Sequence, residues 1–160
     1  MERRYWLKSV GSSDDMQADD WPESAPQELT YVHFPDKGKP SVRSGDYLVY
    51  YASGQERIIG IVEVFGPPTR DSGEPRWPWR CEIRPRIILS RITRSPMIDV
   101  LSDATRNFRL AVRQQSHVEL DEAQYMRARV AIEGVFDEGH GDRLYPWPMF
   151  ETSLVPGSSK

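Results

Sequence analysis

The stretch SGDYLVYYASGQERIIGIVEV, residues 44–64, predicts a β-hairpin in the middle of the chain. Tyr, Leu, Val and Ile are enriched on both sides of a short polar segment, a composition typical of two antiparallel strands joined by a tight turn. Tyr50 and Tyr51 are neighbours in the first strand, so their side chains point to opposite faces and only one can line a barrel interior. Gly60 interrupts the second strand, which indicates a bulge or the close approach of another backbone or a ligand.

A further strand is predicted from RWPWRCEIRPRIIL, residues 76–89, because apolar and charged residues alternate along it. Trp77, Trp79, Cys81 and Ile83 would share one apolar face. Two tryptophans at the start of this strand either plug the end of a barrel or form walls of a pocket. The second proline of the segment indicates a sheet edge or a bulge near the end of the strand.

Three shorter strands and one helix complete the predicted elements. The strands lie within RRYWLKSV (3–10), ELTYVHFP (28–35) and RLAVRQQSHVEL (109–120). DEAQYMRARVAIEG (121–134) is the strongest helix pattern, with an acidic cap at its start and glycine at its end. One apolar stripe of this helix is expected to face the core, formed by Tyr125, Ala128 and Ile132. A second stripe is expected to be partly covered, formed by Ala123, Met126 and Val130.

The acidic stretch between the first two strands, residues 11–27, is predicted to be a long, mobile loop, because it has little periodicity and two prolines. Its only large apolar residues are Met16 and Trp21. Trp21 could alternatively fold over a pocket as a lid.

Composition favours one soluble domain of ordinary size: 160 residues, of which 38% are hydrophobic and 28% charged. No apolar run approaches the roughly 18 residues of a membrane span, and the N-terminal segment lacks the apolar region of a signal peptide. Cys81 is the single cysteine, which excludes an intramolecular disulfide and a cysteine-based zinc site. We therefore expect a cytoplasmic protein without membrane association.

The net charge of −3 is unevenly distributed along the chain. Residues 1–56 and 114–160 each carry −4, whereas residues 57–113 carry 11 arginines and 6 acidic residues, which gives +5. Arginine side chains match phosphate geometry and stack on rings, so this block is compatible with nucleic-acid binding. It is equally compatible with a solvated sheet face that carries ordinary cross-strand ion pairs.

The sequence contains no recognisable catalytic or cofactor motif. The three histidines have neither HxH nor HExxH spacing, and no phosphate-binding glycine loop or GxSxG segment is present. The acidic cluster at residues 14–20 lacks the spacing of a calcium loop, and the cysteine is expected to pack inside a strand rather than act as a nucleophile. We expect no metal and no cofactor, and aromatic residues at loop–strand junctions favour a binding module over an enzyme.

Four colinear segments resemble the EVE domain family, which belongs to the PUA-like superfamily and is similar to YTH domains. They are RYWLKSV (4–10), the hairpin at 44–64, WPWRCEIRPRIIL (77–89) and RLAVRQQSHVELDEAQYMRA (109–128). The resemblance implies an α+β fold with a small PUA-like β-barrel of about five or six strands, flanked by helices. It places the domain at residues 1–136, followed by a tail at 137–160 that packs on the domain or trails from it.

The resemblance also implies a pocket in which aromatic walls hold a modified nucleobase flipped from DNA or RNA. One wall corresponds to Trp77 or Trp79, the other tryptophan being core, although both could be core. The family's other aromatic residue, usually tryptophan, corresponds to Tyr31, His33 or Phe34. The family often places polar contacts to the base at the end of the first strand, a position that corresponds here to Ser9 and Lys8.

A cationic rim is implied for the nucleic-acid strand, formed by Arg109, Arg80 and Arg84. For Arg109, an ordinary surface ion pair is the alternative. The predicted function is a non-enzymatic module that recognises a modified base in DNA or RNA, with an unknown oligomeric state. The alternatives are a binder of free nucleotides or other small molecules in the same pocket, and an enzyme on a PUA-like scaffold.

Overall fold

A computed structural model describes residues 3–11, 19–71, 73, 75–101, 108 and 116–145. The strands in this part of the chain are β1 (Tyr5–Val10), β2 (Tyr31–Phe34), β3 (Tyr47–Ala52), β4 (Arg57–Val64), β5 (Thr69–Arg70), β6 (Trp79–Ile88), β7 (His117–Leu120) and β8 (Arg143–Leu144). The α-helices are α1 (Trp21–Ser24) and α2 (Glu122–Val135), and 3₁₀ turns lie at Pro26–Leu29, Ile92–Arg94, Ile98–Leu101 and Glu138–His140.

The eight strands form one mixed sheet in the order β2-β6-β4-β3-β1-β7, with β5 and β8 paired to β6. β1 and β3 are parallel, and the other pairs are antiparallel. The sheet curls into a half-barrel, so that the ring of Phe34 on β2 lies 4.9 Å from the ring of His117 on β7 at the opposite end of the strand order. The predicted α+β class, with a small curled sheet flanked by helices, is confirmed.

The central strand β3 is buried on both faces, as the continuous apolar run at its position requires. The sheet has two hydrophobic cores: an inner core enclosed by the half-barrel and an outer core between the sheet and α2. Tyr50 packs in the inner core and Tyr51 in the outer core, which confirms that their side chains point to opposite faces. The Tyr50 hydroxyl donates to the main-chain carbonyl of Glu28 at 2.7 Å. This bond ties the 3₁₀ turn before β2 to the centre of the sheet.

Gly60 meets two of the predicted requirements at once. A bulge lies next to it in the β3–β4 pair, because Tyr50 pairs with Gly60 and Tyr51 with Ile58, which leaves Ile59 as the extra residue. A Cβ atom at this position would lie 2.9 Å from both the Ile87 carbonyl oxygen and the Ile88 Cδ1 atom on β6. The glycine therefore permits close approach of the neighbouring strand.

Strand β6 begins at Trp79, so the predicted inclusion of Trp77 in the strand is wrong. Trp79 and Cys81 face the inner core, as the alternation predicts. The register with β4 shifts between Pro85 and Ile87, which places the predicted bulge at the proline. The predicted bulge near the end of the strand is confirmed, because β6 ends at Ile88, three residues after Pro85.

Helix α2 begins with a reciprocal capping box in which Asp121 accepts from the Gln124 amide and the Gln124 side chain accepts from the Asp121 amide. The helix continues one residue past Gly134, to Val135. The stripe predicted to be buried is buried, comprising Tyr125, Ala128 and Ile132. The stripe expected to be partly covered is exposed, comprising Ala123, Met126 and Val130, because the helix packs on the sheet along one side only.

Trp21 is a fully buried core residue, and this corrects the suggestion that it forms a lid. Its indole nitrogen donates to the main-chain carbonyl of Leu89, and it anchors α1 against the inner core. Asp19, just before it, accepts from the Thr93 amide at 2.9 Å. The loop predicted over residues 11–27 is therefore wrong for residues 21–27, where the chain forms α1 and the start of a 3₁₀ turn. Residues 12–18, which the same prediction covers, lie outside the described residues.

The chain after α2 returns to the sheet. Residues 143–144 pair with Ile87 and Ile88 of β6, and the buried carboxylate of Asp142 accepts from the amides of Ser90 at 2.8 Å and Asp137 at 2.9 Å. The first part of the predicted tail therefore packs on the half-barrel. Residues 146–160 lie outside the described part of the chain.

Candidate functional site

A cavity of about 480 Å³ opens at one end of the half-barrel. It lies where the end of β1, the 3₁₀ turn before β2, β2 itself and the β5–β6 connection meet. Its size lies within the roughly 300–1,000 Å³ range of small-ligand sites. It is lined by Lys8, Ser9, Val10, Gly11, Gln27, Glu28, His33, Asp71, Trp77 and Arg80.

Trp77 forms an exposed aromatic wall of this cavity, with 42% of its surface accessible. It lies in the bend just before β6, where Pro78 is buried and the Pro78 carbonyl accepts from the Asp71 amide at 2.6 Å. This bond closes the β5–β6 connection and holds Trp77 at the rim. A large aromatic side chain left accessible beside a cavity is available to stack on a flat ligand.

Trp79 has a different environment. It is half-buried, packs against the inner core, and has the Arg70 guanidinium 5.7 Å from its ring centroid. It does not line the cavity. The bend at Pro78 therefore separates two tryptophans that a continuous strand would have placed on one face.

Lys8 is a buried cation on an apolar strand face. It lies between Trp6 and Val10 on the inner face of β1, and its side chain is almost inaccessible. Its Nζ atom donates to the Ser9 carbonyl at 2.5 Å. Because both strand neighbours are core residues, the ammonium group can only point into the half-barrel, where it reaches the cavity.

The charge of Lys8 is held between an aromatic ring and a carboxylate. Nζ lies 5.6 Å from the Trp77 ring centroid, a distance compatible with cation–π attraction. Burial lowers the pKa of Lys8 to about 8, and the nearby Glu28 carboxylate opposes this by favouring the charged form. The ammonium is thus protonated near neutral pH and can donate hydrogen bonds within the cavity.

Glu28 and His33 form the acidic side of the cavity. Glu28 is buried, and its Oε1 atom lies 3.4 Å from His33 Nδ1. Glu28 is positioned by the 3₁₀ turn, whereas His33 is the half-buried third residue of β2. Together they present a carboxylate acceptor and an imidazole to the same space.

Arg80 lies at the mouth of the cavity. Its guanidinium stacks 4.5 Å from the ring centroid of Tyr31, and Nη1 lies 3.8 Å from the Asp71 carboxylate. The strand register explains this arrangement, because Arg80 pairs with His33 and Tyr31 with Glu82, which makes Arg80 and Tyr31 diagonal neighbours on one face of the sheet. Arg80 is thus held at the rim on two sides.

Several residues suggested by the family resemblance do not line this cavity. The Tyr31 ring stacks against the Arg80 guanidinium. Phe34 is 1% accessible and belongs to the inner core. Arg84 is exposed and stacks 3.4 Å from the ring centroid of Phe65, near the end of β4. Arg109 lies outside the described residues.

Three polar lining residues were not predicted from the sequence: Gln27, Glu28 and Asp71. The usable signal was Lys8, since a lysine between two core residues of a strand requires a buried partner. That requirement predicts a carboxylate nearby without saying which one, because Glu28 is brought in by the fold from a separate turn.

The described residues include neither a metal-binding cluster nor an accessible cysteine. Within them, no three His, Cys, Asp or Glu side chains come together as a metal site, and no helix there has the length and hydropathy to cross a membrane. Cys81 is buried, and burial raises the pKa of its thiol to about 12. Its predicted burial is confirmed.

No family model matches this chain, and no curated protein matches its sequence. Solved structures match it in fold. Rpa0253 from Rhodopseudomonas palustris has a TM-score of 0.53 at 14% identity, over 86% of this chain and 97% of its own. Atu2648 from Agrobacterium tumefaciens has a TM-score of 0.46 at 20% identity, over 80% of this chain and 92% of its own.

A YTH domain is also among the matching structures. This domain of the Zygosaccharomyces rouxii MRB1 protein, in complex with N6-methyladenosine RNA, has a TM-score of 0.48 at 11% identity, over 78% of this chain and 83% of its own. At 14% identity, the likeness to Rpa0253 shows a shared fold alone.

Proposed function

We propose that this protein is an EVE-type, PUA-like module that binds a modified nucleobase, flipped out of DNA or RNA, in the cavity beside Trp77. The observation that carries the proposal is the accessible indole of Trp77, 42% exposed, on the wall of a cavity of about 480 Å³. Every nucleobase has a π face, and stacking on an aromatic side chain contributes roughly 1–3 kcal/mol per base.

The polar groups around the cavity suit the edge of a base. Lys8 supplies a donor, the Glu28 carboxylate supplies acceptors, and Gln27 supplies both. Base edges carry adjacent donors and acceptors, so such a mixed set can satisfy them when the base leaves its stack. The Trp77 indole and these groups would then read the face and the edge of the same ring.

The charge of the cavity favours a base over a phosphate. Lys8 lies near Glu28, and Arg80 lies 3.8 Å from Asp71, so each cation has an acidic neighbour. A free nucleotide would bring its phosphate into a site without surplus positive charge. A base that remains attached to a strand keeps its phosphates outside the cavity.

The proposal includes binding without catalysis and a cytoplasmic location. The thiol of Cys81, an intrinsically strong nucleophile, is buried, and its pKa is raised to about 12. A single buried cysteine also suits a reducing compartment.

The test is a binding panel. Short single- and double-stranded DNA and RNA, each with one modified or unmodified base, and the corresponding free nucleosides and nucleotides are titrated at fixed salt. We expect a modified strand to bind more tightly than its unmodified counterpart, and the free nucleoside to bind at least as well as the free nucleotide. Recovered nucleosides analysed by mass should be unchanged.

Trp77→Ala and Phe65→Ala provide the matched comparison, because Phe65 is 43% exposed and does not line the cavity. Selective loss of modified-strand binding in Trp77→Ala supports the proposal. Equal affinity for modified and unmodified strands would contradict it, tighter binding of free nucleotides would favour the small-molecule alternative, and conversion of the base would establish an enzyme.

A further inference from the structure

A second groove, of about 410 Å³, lies beside the base cavity at the seam between the two ends of the curled sheet. We call it the seam groove. It is lined by Trp6, Phe34, Pro35, Lys37, Gly38, Lys39, Pro40, Ser41, Ser116 and His117. The proposed function assigns no role to this groove.

The seam groove and the base cavity are neighbours along β1. Trp6 lines the groove and Lys8 lines the cavity, and these residues are two apart on the same strand face, which separates them by about 7 Å. The Phe34 ring lies between them, 5.1 Å from Lys8 Nζ and 4.9 Å from the His117 ring. This offset is close to one nucleotide step in an extended single strand.

The two sites differ in charge. The base cavity pairs each cation with an acid, whereas none of the described residues that line the seam groove is an aspartate or a glutamate. Lys37 and Lys39 are exposed and form no ion pair with any residue in the described ranges. Burial, with the nearby charge of Lys8, lowers the pKa of His117 to about 4. The imidazole is therefore a neutral ring at pH 7, and the two lysines supply the positive charge.

The loop that carries these lysines is fixed to the sheet. Asp46, at its end, accepts from the Trp6 indole at 3.0 Å and from the Arg43 amide at 2.9 Å. The Ser41 carbonyl accepts from the Arg4 guanidinium. The two lysines thus belong to a loop that is fixed to the sheet, next to the aromatic side chains that line the groove.

We propose that the seam groove binds the phosphodiester next to the flipped nucleotide, with Lys37 and Lys39 contacting phosphate oxygens. This inference rests on the proposed function, because it takes the occupant of the base cavity to be part of a strand. Lysine binds phosphate as a point charge, and the Ser41 hydroxyl adds a donor at the same rim. The seam groove would thus supply the positive charge for a phosphate of the strand. The base cavity has no surplus positive charge, because each of its cations lies near an acid.

The experiment measures affinity against salt for two probes: oligothymidylate, and the tightest-binding modified single strand of the panel. Lys37→Gln/Lys39→Gln is compared with wild type and with Arg91→Gln/Arg143→Gln. The control removes two exposed arginines that are paired with acids and line neither site. We expect the lysine variant to lose roughly tenfold in affinity at low salt, with the salt slope shallower by about 0.7 per phosphate contact removed.

A free modified nucleoside separates this inference from the proposed function. Its affinity should be unchanged in the lysine variant, which also shows that the variant is folded. An unchanged salt slope, a slope change matched by the arginine control, or no strand binding by wild type would overturn the seam-groove inference. If strands bind through the lysines but no modified base is preferred and Trp77→Ala has no effect, the proposed function fails and the groove remains a phosphate site.

Discussion

Two tryptophans separated by one proline have opposite environments in this protein. Trp77 is accessible at the rim of a cavity, whereas Trp79 begins β6 and packs against the inner core. The difference arises because the bend at Pro78 ends the alternation of the strand. This contrast allows the binding and structural contributions of an aromatic side chain to be measured two positions apart.

Truncation should therefore affect the two tryptophans differently. We expect Trp77→Ala to weaken modified-base binding about tenfold to a hundredfold and to change stability by less than about 1 kcal/mol. Trp79→Ala should destabilise the fold by about 3 kcal/mol through lost core packing. Ligand titrations and urea midpoints of both variants give the four values. Large stability losses in both, without a selective loss of binding, would identify both as barrel core.

Lys8 makes stability depend on pH in an unusual direction. The unfolded chain holds the lysine proton up to pH 10.5, whereas the folded protein releases it above about pH 8. Between these values the unfolded state binds more protons, so stability rises with pH. The lowered pKa corresponds to roughly 3 kcal/mol across this window.

Lys8→Met tests this by removing the titrating group while keeping an unbranched side chain. The stability of wild type relative to Lys8→Met should rise as pH increases from about 8 to 10.5, measured by urea unfolding at each pH. The Cys81 thiol, whose pKa is raised to about 12, acts in the opposite direction, but it is present in both proteins and cancels. A difference that stays constant across the window would show that the Lys8 ammonium is not buried as described.

Strands β4 and β6 approach each other closely through their backbones. Helix α2, in contrast, packs on the sheet along one side and leaves its other side open. At Gly60 a Cβ atom would meet Ile87 and Ile88 at 2.9 Å, whereas at Gly134 in α2 nothing lies within 4 Å. The same substitution should therefore have opposite effects in the two elements.

Gly60→Ala should destabilise the protein by about 1–3 kcal/mol, because β4 and β6 must move apart. Gly134→Ala should stabilise it by up to about 1 kcal/mol, because alanine restricts the unfolded chain and favours the helix. Thermal and urea unfolding of the pair provides the measurement. A neutral Gly60→Ala would contradict the tight contact between the strands.

The fold could be predicted wherever a simple pattern repeats over several residues. Two β-rich runs around a short polar turn predicted the hairpin at residues 44–64, alternation predicted the inner face of β6, and cap residues predicted the start of α2. The exposed stripe of α2 could not be predicted, because periodicity marks an apolar stripe but does not show which partner covers it. Trp21 was misjudged for a similar reason, since its partner, the Leu89 carbonyl, lies far along the chain.

The candidate site could be predicted only in part. The family resemblance named Lys8, Ser9, His33, Trp77 and Arg80, which the structure brings to one cavity. Glu28 and Asp71 come from separate connections, and their approach depends on how the sheet curls. The sequence contains the residues of the site, but the curl of the sheet determines which of them lie close together.

The most direct measurement of the central claim is the indole N–H spectrum of ¹⁵N-labelled protein during titration with the tightest-binding modified nucleoside of the panel. A base stacked on Trp77 should shift its indole resonance through ring-current effects, while that of the buried Trp21, bonded to Leu89, stays in place. Trp77→Ala assigns the resonance. If the Trp77 signal does not move at saturation, or if no modified nucleoside binds, the cavity is not a base pocket.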